Sequence, residues 1–251
     1  MTTRLVHVVI DANDPAGLGE FWARALGWQI LPVDPDEIVI APAGLDSIYP
    51  DPVALPLVLV PVHERKTVKN RLHLDLATTS AEHQAAEVER LLGLGAAPAD
   101  VGQGDVPWTV LADPEGNEFC VLDPRPEYAD TGPVAAVVAG CGDPQAIAGF
   151  WELATGFRRQ RSAAEFVSLR SPREVGPYLE LLQVPDPKTV KNRVHLDLRP
   201  ERGEDVGAAV AALRAGGARP ADVGQRDVPW TVLADPEGNE FCVLMPSPPA
   251  T

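Results

Sequence analysis

Apolar and polar residues repeat one pattern four times along the chain: an alternating run, a helical run, and then further alternating runs. The first copy opens with LVHVVIDA at residues 5–12, whose alternation is typical of a strand. Apolar residues then recur at helical spacing, at Leu18, Phe21, Trp22, Ala25 and Leu26. Apolar strand-like runs such as VALPLVLVPV, at residues 53–62, close the copy. The pattern therefore predicts a strand, a helix and two or three further strands in each copy.

Capping residues predict where the first two helices begin and end. Asp14, followed by proline, is a favourable N-cap, and Gly27 stands where a C′ glycine belongs. In the second copy, Thr79 and Glu82 predict a capping box at the start of the helix. Gly95 is the expected end of that helix.

Long stretches of the sequence recur 122 residues apart. KTVKNRLHLDL at residues 66–76 returns as KTVKNRVHLDL at 188–198, and residues 98–122 return at 220–244 with a single change. The start of the chain corresponds at an offset of 129 instead, so the first copy carries about seven extra residues between 29 and 56. Because that region is rich in Pro, Asp and Gly, we expect a longer loop there.

This correspondence indicates two copies of one structure. We divide the chain into half one, residues 1–125, and half two, residues 130–251, each a domain of two similar modules. The turn-rich segment DPRPEYADTGP, residues 123–133, joins the halves.

Composition narrows the possible partners. The chain of 251 residues carries a formal charge of −15, which argues against nucleic acid or an anionic membrane as a partner. It has no apolar run long enough to span a bilayer. Three cysteines, an odd and sparse set, are typical of reduced thiols, and the N-terminal residues do not resemble a signal peptide. We therefore expect a cytoplasmic protein whose partner is a small molecule.

The motifs DP…FW…LGW at residues 14–28 and DPEGNEF at residues 113–119 resemble those of the vicinal-oxygen-chelate superfamily. That superfamily includes glyoxalase I, bleomycin-resistance proteins and extradiol dioxygenases, and the chain is most similar to its tandem glyoxalase-like branch. The resemblance implies an α+β fold of four βαβββ modules, paired into two curled-sheet cups. In metal-dependent members each module of a pair supplies a ligand from its first strand and another from a later strand, typically two His and two Glu in all.

The resemblance also assigns positions to these ligands. The first-strand positions are His7, His73, Ala136 and His195, and the later positions are Val58, Cys120, Glu180 and Cys242. Which modules pair is left open, either within a half or across the halves. Neither pairing gives two His and two carboxylates in one cup. At best, His7 with either His73 or His195 could bind a divalent metal together with a cysteine, or one His could bind it with Glu180 and a cysteine, since three ligands suffice for catalytic zinc. We expect instead that they line a cup without a metal or other cofactor.

Other candidates flank these positions. Alternation puts His73 and Asp75 on one face of their strand, and likewise His195 and Asp197, so each Asp either orients a ligand or satisfies a structural histidine. Trp108 and Trp230 either stack on a planar ligand or belong to the core. The lysines of the KTVKN copies are expected on solvated loops.

Three functions remain open. The first is binding of a small, partly apolar or aromatic molecule in a cup. The second is a metal-dependent lyase, isomerase or dioxygenase with Glu180 as general base. The third is a non-catalytic scaffold whose cups are filled by their own side chains. Internal duplication favours a monomer that is a pseudo-dimer, with a homodimer as the alternative.

Overall fold

The computed structural model describes residues 3–34, 37–45, 54–201 and 203–246, and it contains the four predicted βαβββ modules. Module 1 consists of β1 (Thr3–Ala12), α1 (Pro15–Leu26), β2 (Gln29–Asp34), β3 (Glu37–Ala41) and β4 (Leu57–Pro61). Module 2 consists of β5 (Leu72–Leu76), α2 (Ala81–Leu94), β6 (Ala97–Pro98), β7 (Thr109–Ala112) and β8 (Glu118–Val121). Module 3 consists of β9 (Val134–Cys141), α3 (Pro144–Thr155), β10 (Arg158–Ala163), β11 (Phe166–Arg170) and β12 (Tyr178–Gln183). Module 4 consists of β13 (Val194–Pro200), α4 (Val206–Ala215), β14 (Arg219–Pro220), β15 (Thr231–Ala234) and β16 (Glu240–Val243).

The modules pair across the halves. The first sheet has the order β14-β15-β16-β13-β1-β4-β3-β2, and the second has the order β10-β11-β12-β9-β5-β8-β7-β6. At the centre of the first sheet β1 and β13 run antiparallel, with His7 opposite Asp197. At the centre of the second, β5 and β9 run antiparallel, with His73 opposite Val138. Module 1 therefore shares a sheet with module 4, and module 2 with module 3.

The capping residues fix most helix ends as predicted. The Asp14 side chain accepts a hydrogen bond from the backbone N–H of Gly17, and α1 ends at Gly27 in the left-handed region with φ 66°. Gly95 ends α2 with φ 113°. The predicted capping box is wrong by one residue, because the N-cap of α2 is Ser80, whose hydroxyl accepts from the backbone N–H of His83. The region 29–56, where a longer loop was expected, contains β2 and β3, and its residues 35–36 and 46–53 lie outside the described residues.

The main hydrophobic core combines the apolar faces of both sheets with the four helices of the described chain. Trp22 of α1 packs edge-on against Phe119 of β8, with ring centroids 5.1 Å apart. Trp151 of α3 packs in the same way on Phe241 of β16, at 5.7 Å. The two modules of a half thus share a core even though their strands belong to different sheets.

The duplicated DPEGN turns tie the modules of each half together. The Glu115 carboxylate accepts hydrogen bonds from the backbone N–H groups of Asn13 and Asp14, before α1, at 2.8 and 2.6 Å. It also accepts one from Arg193 of half two at 2.9 Å. Glu237 occupies the equivalent turn and accepts from the two backbone N–H groups before α3, at 2.6 and 3.0 Å. Both copies of the DPEGN turn therefore make the same contacts to the residues that precede a helix.

None of the helices in the described part of the chain is both long enough and apolar enough to cross a membrane.

Candidate functional site

The concave face of the first sheet forms an open cavity of about 500 Å³, which we call cup A. Alternate residues of its strands point into it because side chains of a strand alternate between the two faces of a sheet. The polar lining includes His7 on β1, His195 and Asp197 on β13, and Cys242 on β16. Apolar walls come from Val9, Val39, Val58, Val60, Val232 and Trp230. Cup A is therefore a polar cluster set among valines, with an indole on one side.

The polar cluster of cup A is compact. His7 Nδ1 donates a hydrogen bond of 3.4 Å to Oδ2 of Asp197, and His195 Nε2 lies 3.7 Å from Oδ1 of the same carboxylate. Sγ of Cys242 lies 3.6 Å from His195 Nε2. The Asp197 carboxylate thus bridges two imidazoles that come from different halves of the chain. Neither half contains this arrangement by itself.

Burial sets the charge states in cup A. It lowers the pKa of His195 below its usual value, although the neighbouring Asp197 carboxylate opposes this. Burial, reinforced by the same carboxylate, raises the pKa of the Cys242 thiol. At neutral pH the site therefore presents a neutral imidazole and a protonated thiol, which suits hydrogen bonding to an uncharged ligand.

The donor spacing of cup A also fits a metal ion. The ligating atoms of His195, Asp197 and Cys242 all lie within 4.8 Å of one another. Around a tetrahedral zinc with bonds of 2.0–2.3 Å, neighbouring donors are about 3.3–3.7 Å apart, which the observed 3.6 and 3.7 Å separations match. The chemistry of the set departs from two His and two Glu, because Val58 offers no ligand and the thiol would have to lose its proton on binding.

The concave face of the second sheet, cup B, is filled by the segment that joins the halves. Tyr128, in a short 3-10 helix (Pro126–Tyr128), is only 3% exposed and packs against Cys120, Ala136 and Val138. Its hydroxyl donates a 2.9 Å hydrogen bond to Oε1 of Glu180, which also accepts one from Ser168 at 2.8 Å. The turn-rich connection predicted for residues 123–133 is thus also the filling of this cup.

Ion pairs fasten the connecting segment over cup B. Arg161 of β10 binds Glu127 at 2.6 Å, and Arg170 of β11 binds Asp130 at 2.8 Å. The guanidinium of Arg125 lies over the Trp108 ring, 5.6 Å from its centroid. Contacts on both sides of Tyr128 therefore hold its ring in the cup.

Glu180 is the acceptor for the Tyr128 hydroxyl. Burial raises its pKa, while the hydrogen bonds from Ser168 and Tyr128 act in the opposite direction. Near it, His73 Nε2 lies 3.2 Å from Oδ1 of Asp75, and the ligating atoms of His73, Asp75 and Cys120 lie within 4.8 Å of one another. Burial raises the pKa of the Cys120 thiol, as it does for Cys242. Cup B thus keeps the same side-chain triad as cup A, but Tyr128 packs against its cysteine.

The structure sorts the predicted site residues into two sets. His7, His195, Asp197, Trp230 and Cys242 lie together in cup A. The others, His73, Asp75, Trp108, Cys120 and Glu180, belong to cup B. The ligand roles assigned to these residues, including those of the metal and of Glu180 as base, stay predictions. Tyr128 was not among them; the signal that could have drawn attention to it is that it is the single aromatic residue of the connection at 123–133.

Comparison with known proteins agrees with this architecture. Residues 7–122 and 136–244 each match the family model of the glyoxalase-like domain. Glyoxalase I from Zea mays has a TM-score of 0.69 at 16% identity, with 97% of this chain and 92% of the maize chain covered. A putative dioxygenase from Bacillus subtilis has a TM-score of 0.62 at 15% identity, covering 98% and 86%. None of the curated proteins matches. Identities this low show a shared fold alone.

Proposed function

The chain belongs to the glyoxalase-like domain family, and from that premise we propose that cup A binds a small, partly apolar or aromatic molecule. The observation that carries the proposal is the contrast between the cups. Cup A keeps an open cavity of about 500 Å³, which lies in the range of ligand pockets, whereas Tyr128 fills cup B. One ligand per chain is the expected stoichiometry.

The lining of cup A defines the ligand chemistry. Val9, Val39 and Val58 form an apolar cluster that suits a flat hydrocarbon surface. The Trp230 indole lines the cavity and is held by a 3.1 Å hydrogen bond from its Nε1–H to Gln225. A planar ligand between these walls would direct its oxygen atoms to His7, His195 and Asp197, where donors and acceptors are both present. We therefore propose a ligand with an aromatic or branched apolar body and one or two carbonyl or hydroxyl oxygens.

Isothermal titration against phenols, aromatic ketones and aromatic acids tests the proposal, with a matched pair of variants. Trp230→Ala should raise the Kd of a bound ligand by about tenfold, since a stacked ring contributes on the order of 1 kcal/mol beyond its area. Trp108→Ala removes the equivalent indole from cup B, and the Kd should stay within about twofold. No binding by any compound of the panel, or an equal loss of affinity in the two variants, would overturn the proposal.

The donor spacing favours a second candidate, a metal-dependent reaction in cup A. His195, Asp197 and Cys242 would hold a zinc-like ion, with His7 beside Asp197. Such an ion would polarise a substrate carbonyl. The valine walls would orient the substrate and exclude water. His7 could move a proton at its free Nε2, because its Nδ1 is engaged with Asp197.

Elemental analysis of protein purified without a histidine tag separates the two candidates. A competent site should hold close to one equivalent of metal per chain and lose it in His195→Ala but not in His73→Ala, the equivalent change in cup B. Less than about a tenth of an equivalent, with none taken up on reconstitution, would leave binding without a metal as the function.

A further inference from the structure

A second large cavity, of about 670 Å³, lies between the two copies of the KTVKN motif. We call it the central cavity. Residues 66–70 line one side and residues 188–192 the other, so it forms only where the two halves meet. It is distinct from cup A, although Asp11, Lys191 and Asn192 line both, and it is also lined by His73 and Val138 of the second sheet. Nothing in the proposed function of cup A uses it.

All four lysines of the chain line this cavity: Lys66, Lys69, Lys188 and Lys191. With Arg65, Arg71 and Arg193 they make seven cationic side chains against three acidic ones, Asp11, Glu64 and Asp186. The whole chain, by contrast, carries a charge of −15. A cationic cavity in an acidic protein concentrates anions locally, because low-dielectric walls focus the field.

Most of these cations are already paired. Lys66 binds Glu118 at 2.6 Å, and its counterpart Lys188 binds Glu240 at the same distance. Lys191 forms an ion pair with Asp11. Its counterpart Lys69 has no carboxylate within ion-pair distance among the residues that the structure describes. One end of an otherwise pseudo-symmetric cavity thus holds an uncompensated positive charge.

The backbone explains why Lys69 lacks a partner. The backbone N–H of Asp11 bonds the carbonyl of Arg193 at 2.8 Å, and the residue in the same position opposite Arg71 is Gly140, at 2.7 Å. A Cβ on Gly140 would lie 3.0 Å from the Val184 side chain and 3.3 Å from the Arg71 carbonyl oxygen. A side chain at this position would be crowded, and Gly140, where the other half has Asp11, offers Lys69 no carboxylate.

The cavity also has an apolar surface that a ligand could cover. Val68 and Val190 occupy equivalent positions in the two motifs and are 45% and 43% exposed, although they line the cavity. Leu182 and Val184 lie at the same end as Gly140. Exposed valines on both walls are costly in water and favourable against hydrocarbon.

We propose that the central cavity is a second binding site, for a small organic anion with an apolar body. Lys69 pairs with the anionic group at the Gly140 end, and Val68 and Val190 cover the apolar body from both sides. Arg71, Lys191 and Arg193 pair with carboxylates of the opposite half, while the charge of Lys69 is left for a ligand. The two KTVKN copies, which precede β5 and β13, thereby also form a binding site.

The test uses 8-anilinonaphthalene-1-sulfonate as a probe and N-phenyl-1-naphthylamine as its uncharged counterpart, both followed by fluorescence on the full chain. We expect the anion to bind at one site and the neutral compound at least about fivefold more weakly. Lys69→Gln should weaken binding of the anion by about fivefold, and Lys69→Arg should restore it. Arg214→Gln, which removes an exposed charge from α4, is the matched control and should have no effect.

Reductive ¹³C-methylation labels only the four lysines and the terminal amine. When the anion is added, NMR of the labelled chain should therefore show the largest shift change for the Lys69 signal.

Equal affinity for the two compounds, an unchanged affinity in Lys69→Gln, or no binding of the anion would each overturn the proposal. Trp230→Ala distinguishes the two cavities. If it removes anion binding while Lys69→Gln does not, the probe occupies cup A, and the central-cavity proposal fails while that for cup A stands.

Discussion

The hydroxyl of Tyr128 donates a 2.9 Å hydrogen bond to Glu180, so the segment that joins the halves reaches into cup B. The counterpart of Glu180, at the 122-residue offset, is Val58 in cup A. The counterpart of Tyr128 is Ala250, outside the described residues. Acid and phenol thus form a pair that belongs to cup B alone. Two halves that share long identical stretches thus contain one open cup and one filled cup.

Removing the phenol should reopen cup B. Tyr128→Ala deletes a side chain that is 3% exposed, and we expect unfolding free energy to fall by about 3–5 kcal/mol in urea titrations. The cavity left behind has the shape of p-cresol, so millimolar p-cresol should raise the melting temperature of the variant and leave the wild type unchanged. An equal response from both proteins would mean that Tyr128 does not occupy a ligand-sized space.

The buried Glu180 should make stability depend on pH. Because burial raises its folded pKa above the usual 4.5, the folded chain keeps a proton that the unfolded chain has already lost as pH rises past that value. The contribution of Glu180 to stability is therefore greatest in acid and declines as pH rises through the folded pKa. Glu180→Gln keeps an acceptor for Tyr128 and Ser168 without the charge. Urea titrations should find it more stable than the wild type at neutral pH, with the difference shrinking toward pH 4.5.

Glu127 supplies the control for that pH series. It pairs with Arg161 at the exposed rim of cup B, so Glu127→Gln removes a carboxylate from the same arginine without uncovering a buried group. We expect it to lower stability by less than about 1 kcal/mol. A Glu180→Gln difference that is independent of pH, or that follows Glu127→Gln, would contradict the role given to burial.

The DPEGN turns should contribute unequally to stability. Glu115→Ala leaves the backbone N–H groups of Asn13 and Asp14 without their acceptor and the buried Arg193 without its carboxylate partner, at a cost of about 3 kcal/mol or more. Glu237→Ala should cost about 2 kcal/mol, because its arginine, Arg71, lies farther away at 3.7 Å.

Denaturant titrations of the two variants measure the difference between the turns. Glu89→Ala, on the exposed face of α2, should stay within about 0.5 kcal/mol of the wild type. Equal losses of unfolding free energy for Glu115→Ala and Glu237→Ala would show that the backbone hydrogen bonds alone account for the stabilisation by each turn.

Local patterns in the sequence are enough to predict the four modules and most helix ends. Alternation, helical spacing and capping residues such as Asp14 and Gly27 act within a few residues, and the duplication repeats each signal. The pairing of the modules cannot be predicted in this way. β1 pairs with β13 through contacts between residues nearly two hundred positions apart, and such contacts leave no local signal in the sequence.

The candidate site could likewise be predicted only in part from the sequence. His7 and His195 could be placed on their strands from alternation, but their common contact with Asp197 exists only after the halves pair. Tyr128 and Lys69 lie in segments whose composition predicts turns and solvated loops. Their roles come from what the fold brings next to them, Glu180 in one case and Gly140 in the other.

Val58→Glu tests how close cup A is to a metal centre. The substitution puts a carboxylate at the position that the family resemblance assigns to a later-strand ligand, in the same cavity as His7, His195 and Asp197. Val58 is 4% exposed, so without metal the buried charge should destabilise the fold by a few kcal/mol. Zinc should reverse this loss and raise the melting temperature, and competition with a chromophoric chelator should give at least about tenfold tighter binding than in the wild type. Val60→Glu adds the same charge two residues along the strand, at a half-buried position on the cavity wall, and is the control. If it tightens zinc binding equally, added negative charge explains the effect and the donor geometry of cup A does not.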